Sequence, residues 1–279
     1  MTRPDRIAKG RKTGTREWSE HSVNCCLGCQ HSCLYCYGRQ AALRWGKIKR
    51  GEDWTTERVD ADAASRTRKK YAGVVMFPTQ HDLSDGNRRA YYDCLFALLV
   101  AGNNVLVVSK AGMELPALLA RLLGDVAERG DDPLPAMRVE VRASITALDA
   151  VIARFWEPGA PAPGKRLQAL ANCASLGVRT SISIEPCLDV RAIPAIIAAA
   201  RDAGVAGEIW IGAANHLRQR TAWCRGLERL EGEIYRVEEG QTPEAMRRIY
   251  ESLKGNSQIR WKDSYQKALG IDAKGKPQT

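Results

Sequence analysis

The sequence predicts an α/β fold, a (β/α)6 barrel open on one side. Short runs rich in Val and Ile recur at 73–77 (GVVMF), 104–109 (NVLVVS), 138–145 (RVEVRASI), 178–184 (VRTSISI) and 208–212 (EIWIG). Segments of helical spacing separate them. Such near-continuous apolar runs mark parallel strands covered on both faces. One more strand, near 18–23, brings the count to six.

Each element follows from local pattern. Residues 1–16 lack periodicity and are rich in Lys, Arg and Gly, a short flexible basic arm. The first strand leads into a cysteine-rich segment and then a helical stretch at 34–46 (LYCYGRQAALRWG). Residues 47–70 are charged and irregular, a surface excursion with a short helix. Helix 87–101 stops near Gly102, and 115–126 is amphipathic. Helices 148–155 and 166–176 are joined by the Pro/Gly-rich link EPGAPAPGK, and a further helix covers 194–203. The barrel spans 17–215; the extension at 216–279 carries a helix at 242–253 and a loose tail from Ala273.

Composition narrows the class. The 279 residues are 44% apolar, enough for a sizeable core. No apolar run approaches the ~20 residues of a membrane helix. The charged N-terminus has no apolar run behind it, so neither a signal peptide nor a membrane anchor is expected, and the location expected is cytoplasmic. The net charge of +10, with basic clusters at 3–16, 47–50 and 66–70, would attract polyanions. Nucleic acid is therefore a candidate partner; a solvated basic surface is the plain alternative.

Nine cysteines are present, and five fall between Cys25 and Cys36. An odd count with one tight cluster points to metal chemistry in a reducing compartment, not to a disulfide framework. Cys26-x2-Cys29 and Cys33-x2-Cys36 are zinc-like pairs, but only three residues join them, where zinc modules use a longer link. Ferredoxin spacings also differ, and a single-cluster electron carrier needs a distant fourth cysteine. Cys29, Cys33 and Cys36 alone, at x3 and x2 spacing, suit three irons of a [4Fe-4S] cluster and leave the fourth iron open. Tyr35 adds a ring for stacking. Cys25 and Cys26 are extra, as buried thiols or a redox pair.

Cys29-x3-Cys33-x2-Cys36, with an aromatic before the last cysteine, resembles the signature of the radical S-adenosylmethionine (SAM) superfamily. NCCLGCQHSCLYCYGR, with Trp156-Glu157-Pro158-Gly159-Ala160-Pro161 and Lys165-Arg166-Leu167, is similar to its spore photoproduct lyase-like branch. The resemblance covers roughly 24–212 and implies a partial TIM-like barrel. It also implies a [4Fe-4S] cluster whose open iron binds SAM, reductive cleavage of SAM to a 5′-deoxyadenosyl radical, and hydrogen abstraction from a substrate. An electron donor of flavodoxin or ferredoxin type is implied with it.

The C-terminal ends of barrel strands supply further candidates. Thr79, Gln80 and Asp82 stand where the family carries a Gly-Gly-Glu-like stretch for the methionine amino group, and this chain departs from that pattern. His81 is a catalytic candidate or a satisfied loop histidine. Lys110, at the mouth beside Ser109, is a candidate for a carboxylate or phosphate. Arg142 and Ser144 share strand parity, as candidates for the methionine carboxylate and the ribose. Glu185 is a ribose or substrate candidate. Cys187 is a hydrogen-donor candidate by analogy, or a buried thiol. Backbone near Gly212 would suit adenine. The segment 260–264 (RWKDS) folds over the open end or caps the surface. A non-catalytic zinc or iron-sulfur nucleic-acid module and an electron carrier are the rival readings.

Overall fold

The computed structural model describes residues 12–129 and 134–272. The predicted arm up to residue 11 and the tail from Ala273 lie outside the described residues. Seven parallel strands form one curled sheet: β1 (His21–Ser22), β2 (Val74–Met76), β3 (Asn104–Ser109), β4 (Val139–Ser144), β5 (Arg179–Cys187), β6 (Ile209–Ala213) and β7 (Ile259–Trp261). Each strand pairs in parallel with the next, as Val107 with Val141 and Ser144 with Ser183. The architecture is a partial TIM-like barrel.

The main helices are α1 (Tyr37–Arg44), α2 (Arg88–Val100), α3 (Glu114–Glu128), α4 (Pro163–Ser175), α5 (Ile193–Asp202), α6 (Leu230–Gly240), α7 (Pro243–Leu253) and α8 (Asp263–Ala268). Helices α2 to α5 pack into the core of the sheet, while α1 and α6 pack around the cysteine loop. In α3, Leu115, Leu118, Leu119, Leu122 and Val126 repeat at helical spacing and are all buried. They meet Val107 and Val141 of the sheet in one core that also holds Ile182, Ile184, Ile193 and Ile196. Each such side chain contributes roughly 1.5–3 kcal/mol on burial. Among the described residues, no helix is long and apolar enough to cross a membrane.

The strand β7 goes beyond the six expected. It is three residues long with Arg260 in its middle, so no Val/Ile run announces it. Its pairing with β6 draws part of the C-terminal extension into the sheet. The excursion after α1 also has a task. Arg58–Val59 pairs antiparallel with Cys26–Leu27, which pins the start of the cysteine loop.

The gap between β1 and β7 is bridged by side chains. Lys262 Nζ donates to Gly14 O at 2.6 Å and pairs with Glu17 at 3.0 Å. Asp263 N donates to Glu17 Oε2 at 3.0 Å. Lys262 is buried and sits 4.0 Å from the Trp18 ring centroid.

Candidate active site

A cavity of about 570 Å³ opens at the C-terminal ends of the strands. Cys29, Cys33 and Cys36 all line it. Their loop is held by backbone contacts that only glycine permits. Gly28 has φ +105°, and a Cβ there would meet Thr56 O at 2.8 Å. Cys29 N donates to Trp54 O at 2.8 Å. On the other side, Leu34 N donates to Trp156 O at 2.8 Å and Gly159 N to His31 O at 3.0 Å. A Cβ on Gly159 would sit 2.2 Å from Gln30 O. The WEPGAP stretch is thus the clamp of the cysteine loop.

All nine cysteines are free thiols. Burial pushes Cys33 up to about 12 and Cys29 well above its ordinary value, while Lys110 pulls Cys33 the other way. Three free thiols on one loop, facing one cavity with a lysine beside them, are a donor set that fits three irons of a [4Fe-4S] cluster. Among the described residues, no three His, Cys, Asp or Glu side chains group around a single metal-ion position.

Beneath the loop lies a buried polar knot. Glu157 accepts from the Tyr35 hydroxyl and from Thr146 Oγ1 at 2.8 Å. It pairs with Arg166 at 2.5 Å and with Lys110 at 3.9 Å. Burial would raise the Glu157 carboxyl, but Lys110 and Arg166 hold it below its ordinary value. Arg166 also donates to Pro161 O at 2.7 Å and Ser144 O at 3.0 Å. The Tyr35 ring faces the cavity, packs on Trp156 and lies 5.8 Å from Lys110 Nζ.

The loop after β2 forms a second wall, with Thr79, Gln80, His81 and Asp82 all facing the cavity. Asn24, which sequence reasoning passed over, organises it. Its Oδ1 accepts from Thr79 N at 2.8 Å and Gln80 N at 3.0 Å, and its Nδ2 donates to Thr79 Oγ1 at 2.8 Å. The Tyr37 hydroxyl donates to Thr79 O. Asp82 accepts from Ser109 Oγ at 2.5 Å and Lys110 N at 2.7 Å, and pairs with His31 Nδ1 at 3.3 Å. Burial alone would raise Asp82; His31 and these bonds bring it down to about 2. Its carboxylate is thus spent on holding His31 and the start of the β3 loop. His81 Nε2 accepts from Cys25 N at 3.2 Å, and burial depresses His81 to about 4. Cys25 is buried beside His81 and Cys94, and its thiol is raised, chiefly by Cys94 and then by burial.

The remaining candidates divide. Ser144 and Glu185 line the cavity. Glu185 lies 3.5 Å from Lys262 Nζ, and burial raises its carboxyl against the pull of that lysine. Gly212 makes room for it, since a Cβ there would lie 2.8 Å from the Glu185 carboxyl carbon. Arg142 does not line this cavity; it lines a second one, of about 250 Å³, with Trp18 and Trp210. It donates to Ser181 Oγ at 2.9 Å, pairs with Glu140 at 2.7 Å and lies over Trp18 and Trp210. Cys187 is buried in the apolar core and does not line the cavity. The register of β5 against β6 shifts between Ile184 and Cys187, which breaks the alternation that would have aimed Cys187 inward. Burial pushes its thiol up to about 12.

Sequence reasoning also passed over Arg220 and Trp223, and gave no role to Arg39, the last residue of the CYGR stretch. Arg220 lines the cavity. Arg39 is fully buried behind the cysteine loop and stacks 3.9 Å from the Trp223 ring centroid.

No known family matches the chain by sequence, and no curated protein does. A solved structure of spore photoproduct lyase complexed with dinucleoside spore photoproduct aligns with a TM-score of 0.52. The chain has the fold of that enzyme. Identity is 15%, and the alignment covers 92% of this chain and 79% of the other. The likeness is one of fold.

Proposed function

We propose that this protein is a radical SAM enzyme. The observation that carries the reading is the convergence of three free thiols, Cys29, Cys33 and Cys36, on one cavity at the C-terminal ends of the barrel strands. These residues would hold a [4Fe-4S] cluster. When bound with SAM, such a cluster supplies an electron for reductive cleavage of SAM to a 5′-deoxyadenosyl radical, which takes hydrogen from a substrate.

The chain's own residues do the positioning. Tyr35, Thr79, Gln80, Ser144 and Glu185 are the cavity side chains on offer to SAM, with Gly212 leaving space behind Glu185. Lys110, Arg220 and Lys262 make the cavity wall cationic, which suits carboxylates and phosphates. Burial excludes water from Cys29 and Cys33. The net charge of +10 supports a nucleic-acid or nucleotide substrate, and the solved structure with the same fold holds a dinucleoside. An external donor of flavodoxin or ferredoxin type would supply the electron. Nine free cysteines suit a reducing compartment, the cytoplasm.

The test is anaerobic reconstitution, reduction with dithionite and low-temperature EPR with and without SAM, with 5′-deoxyadenosine assayed in the same tube. A [4Fe-4S]⁺ signal that changes on adding SAM, with 5′-deoxyadenosine formed and both lost in Cys33→Ala, supports the reading. Protein that binds zinc, or iron indifferent to SAM, overturns it in favour of a metal-binding module or an electron carrier.

A further inference from the structure

Arg39 is 0% exposed, yet no carboxylate pairs with it among the described residues. Its Nη2 donates to Ser32 Oγ at 2.8 Å, while Nε and Nη1 are buried without an acceptor. An arginine cannot shed its proton to escape this position. A buried cation with no counter-charge costs several kcal/mol even after the protein relaxes.

The surroundings show why it stays. Ser32 immediately precedes Cys33, and Arg39 N donates to Cys36 Sγ at 3.4 Å. Cys36 caps helix α1, which carries Arg39, and Ser32 ties the guanidinium to the same loop just before Cys33. The opposite face is sealed by Trp223, whose Nε1 donates to Leu34 O at 3.2 Å. Trp223 fits only because residue 51 is glycine; a Cβ there would lie 2.5 Å from the indole. The guanidinium is locked on the cysteine loop with two donor atoms unused.

We infer that Arg39 is the built-in counter-charge of the cluster that Cys29, Cys33 and Cys36 would hold, favouring its reduced state. The inference rests on the cluster reading above. Three thiolates leave an oxidised [4Fe-4S] unit with one net negative charge, and reduction adds another. A fixed cation in a dry site stabilises the more negative state more. The midpoint potential is therefore higher with Arg39 than without it, and the incoming electron from a flavodoxin- or ferredoxin-type donor meets a smaller barrier.

The experiment compares wild type, Arg39→Met and Arg39→Lys as full chains, each cluster-free and anaerobically reconstituted. Redox titration followed by EPR gives the midpoint potential, and urea unfolding gives stability. In Arg39→Met the reduction constant should fall at least tenfold, about 59 mV for a one-electron couple. Arg39→Lys should recover most of that. Cluster-free Arg39→Met should be as stable as cluster-free wild type or more so, because an unmatched buried charge is gone; the reconstituted variant should be less stable than reconstituted wild type. An unchanged potential overturns the inference and leaves the cluster reading standing. So does equal destabilisation of both forms, or a cluster-free variant that does not fold, since either shows that Arg39 serves only to hold Ser32 and Trp223. A wild type that takes up no iron overturns both the reading and the inference.

Discussion

Glu157 Oε2 lies 2.5 Å from Arg166 Nη2, with both side chains buried directly under the loop that carries Cys29, Cys33 and Cys36. The pair joins the start of the WEPGAP clamp to α4. Removing one partner leaves an uncompensated buried charge. Glu157→Gln and Arg166→Met should each cost about 3–5 kcal/mol. The double variant should cost less than the sum, because the two paired charges leave together and only Lys110, 3.9 Å from Glu157, loses a partner. Urea unfolding of the four proteins checks this; additive losses would show that the two residues act separately.

His81 gives the protein a pH-dependent stability. Its folded value of about 4 lies below its ordinary 6.5. Between these limits the unfolded chain takes up a proton that the folded chain refuses. Stability should therefore fall as pH drops from 6.5 to about 4, by about 3 kcal/mol at most, and this contribution should level off below that. Asp82 acts lower: its contribution is present above 3.8 and is lost as pH falls to about 2. His81→Gln, which keeps an acceptor for Cys25 N, should flatten the first window. An unchanged profile by calorimetry between pH 4 and 7 would place the dependence elsewhere.

Two glycines should respond differently to alanine. Gly159→Ala drives a Cβ against the backbone of Gln30, which cannot yield without moving the cysteine loop. It should cost about 1–3 kcal/mol and reduce iron uptake on reconstitution. Gly212→Ala meets only the end of the Glu185 side chain, which can swing away. It should keep the fold and iron content and weaken SAM affinity. Equal iron loss in both would mean that the clamp is not the point of sensitivity.

Cys187→Ala should leave formation of 5′-deoxyadenosine unchanged and cost on the order of 1 kcal/mol of stability, as expected of a core thiol. Intact SAM cleavage with product formation abolished would instead return Cys187 to the role of hydrogen donor.

The parallel strands were legible because burial on both faces leaves a Val/Ile run, and 104–109 matches Asn104–Ser109 end to end. The strand expected near 18–23 is present as only His21–Ser22, and Ile259–Trp261 is too short and too polar to show a period. The spacing singles out Cys29, Cys33 and Cys36, and the structure brings all three to one cavity. Their supports were not legible, because those contacts span long separations: Asn24 reaches 55 residues to Thr79, and Tyr35 reaches 122 to Glu157. The glutamate of WEPGAP was visible as a letter in a motif; that it is the acceptor at the centre of a buried knot is visible only in three dimensions. Cys187 shows the opposite case, where strand alternation suggests a mouth position and an irregularity in register removes it.

Lys262 and Gly14 meet across 248 residues of chain. That contact sets an order of events during biosynthesis. The cysteine loop emerges from the ribosome early, with its thiols bare, while the lysine that completes the wall is translated long afterwards. A nascent chain thus displays the thiols of Cys29, Cys33 and Cys36 before the wall that encloses them is complete. If the site takes the proposed cluster, iron and sulfide are expected to reach the finished polypeptide and not the growing one.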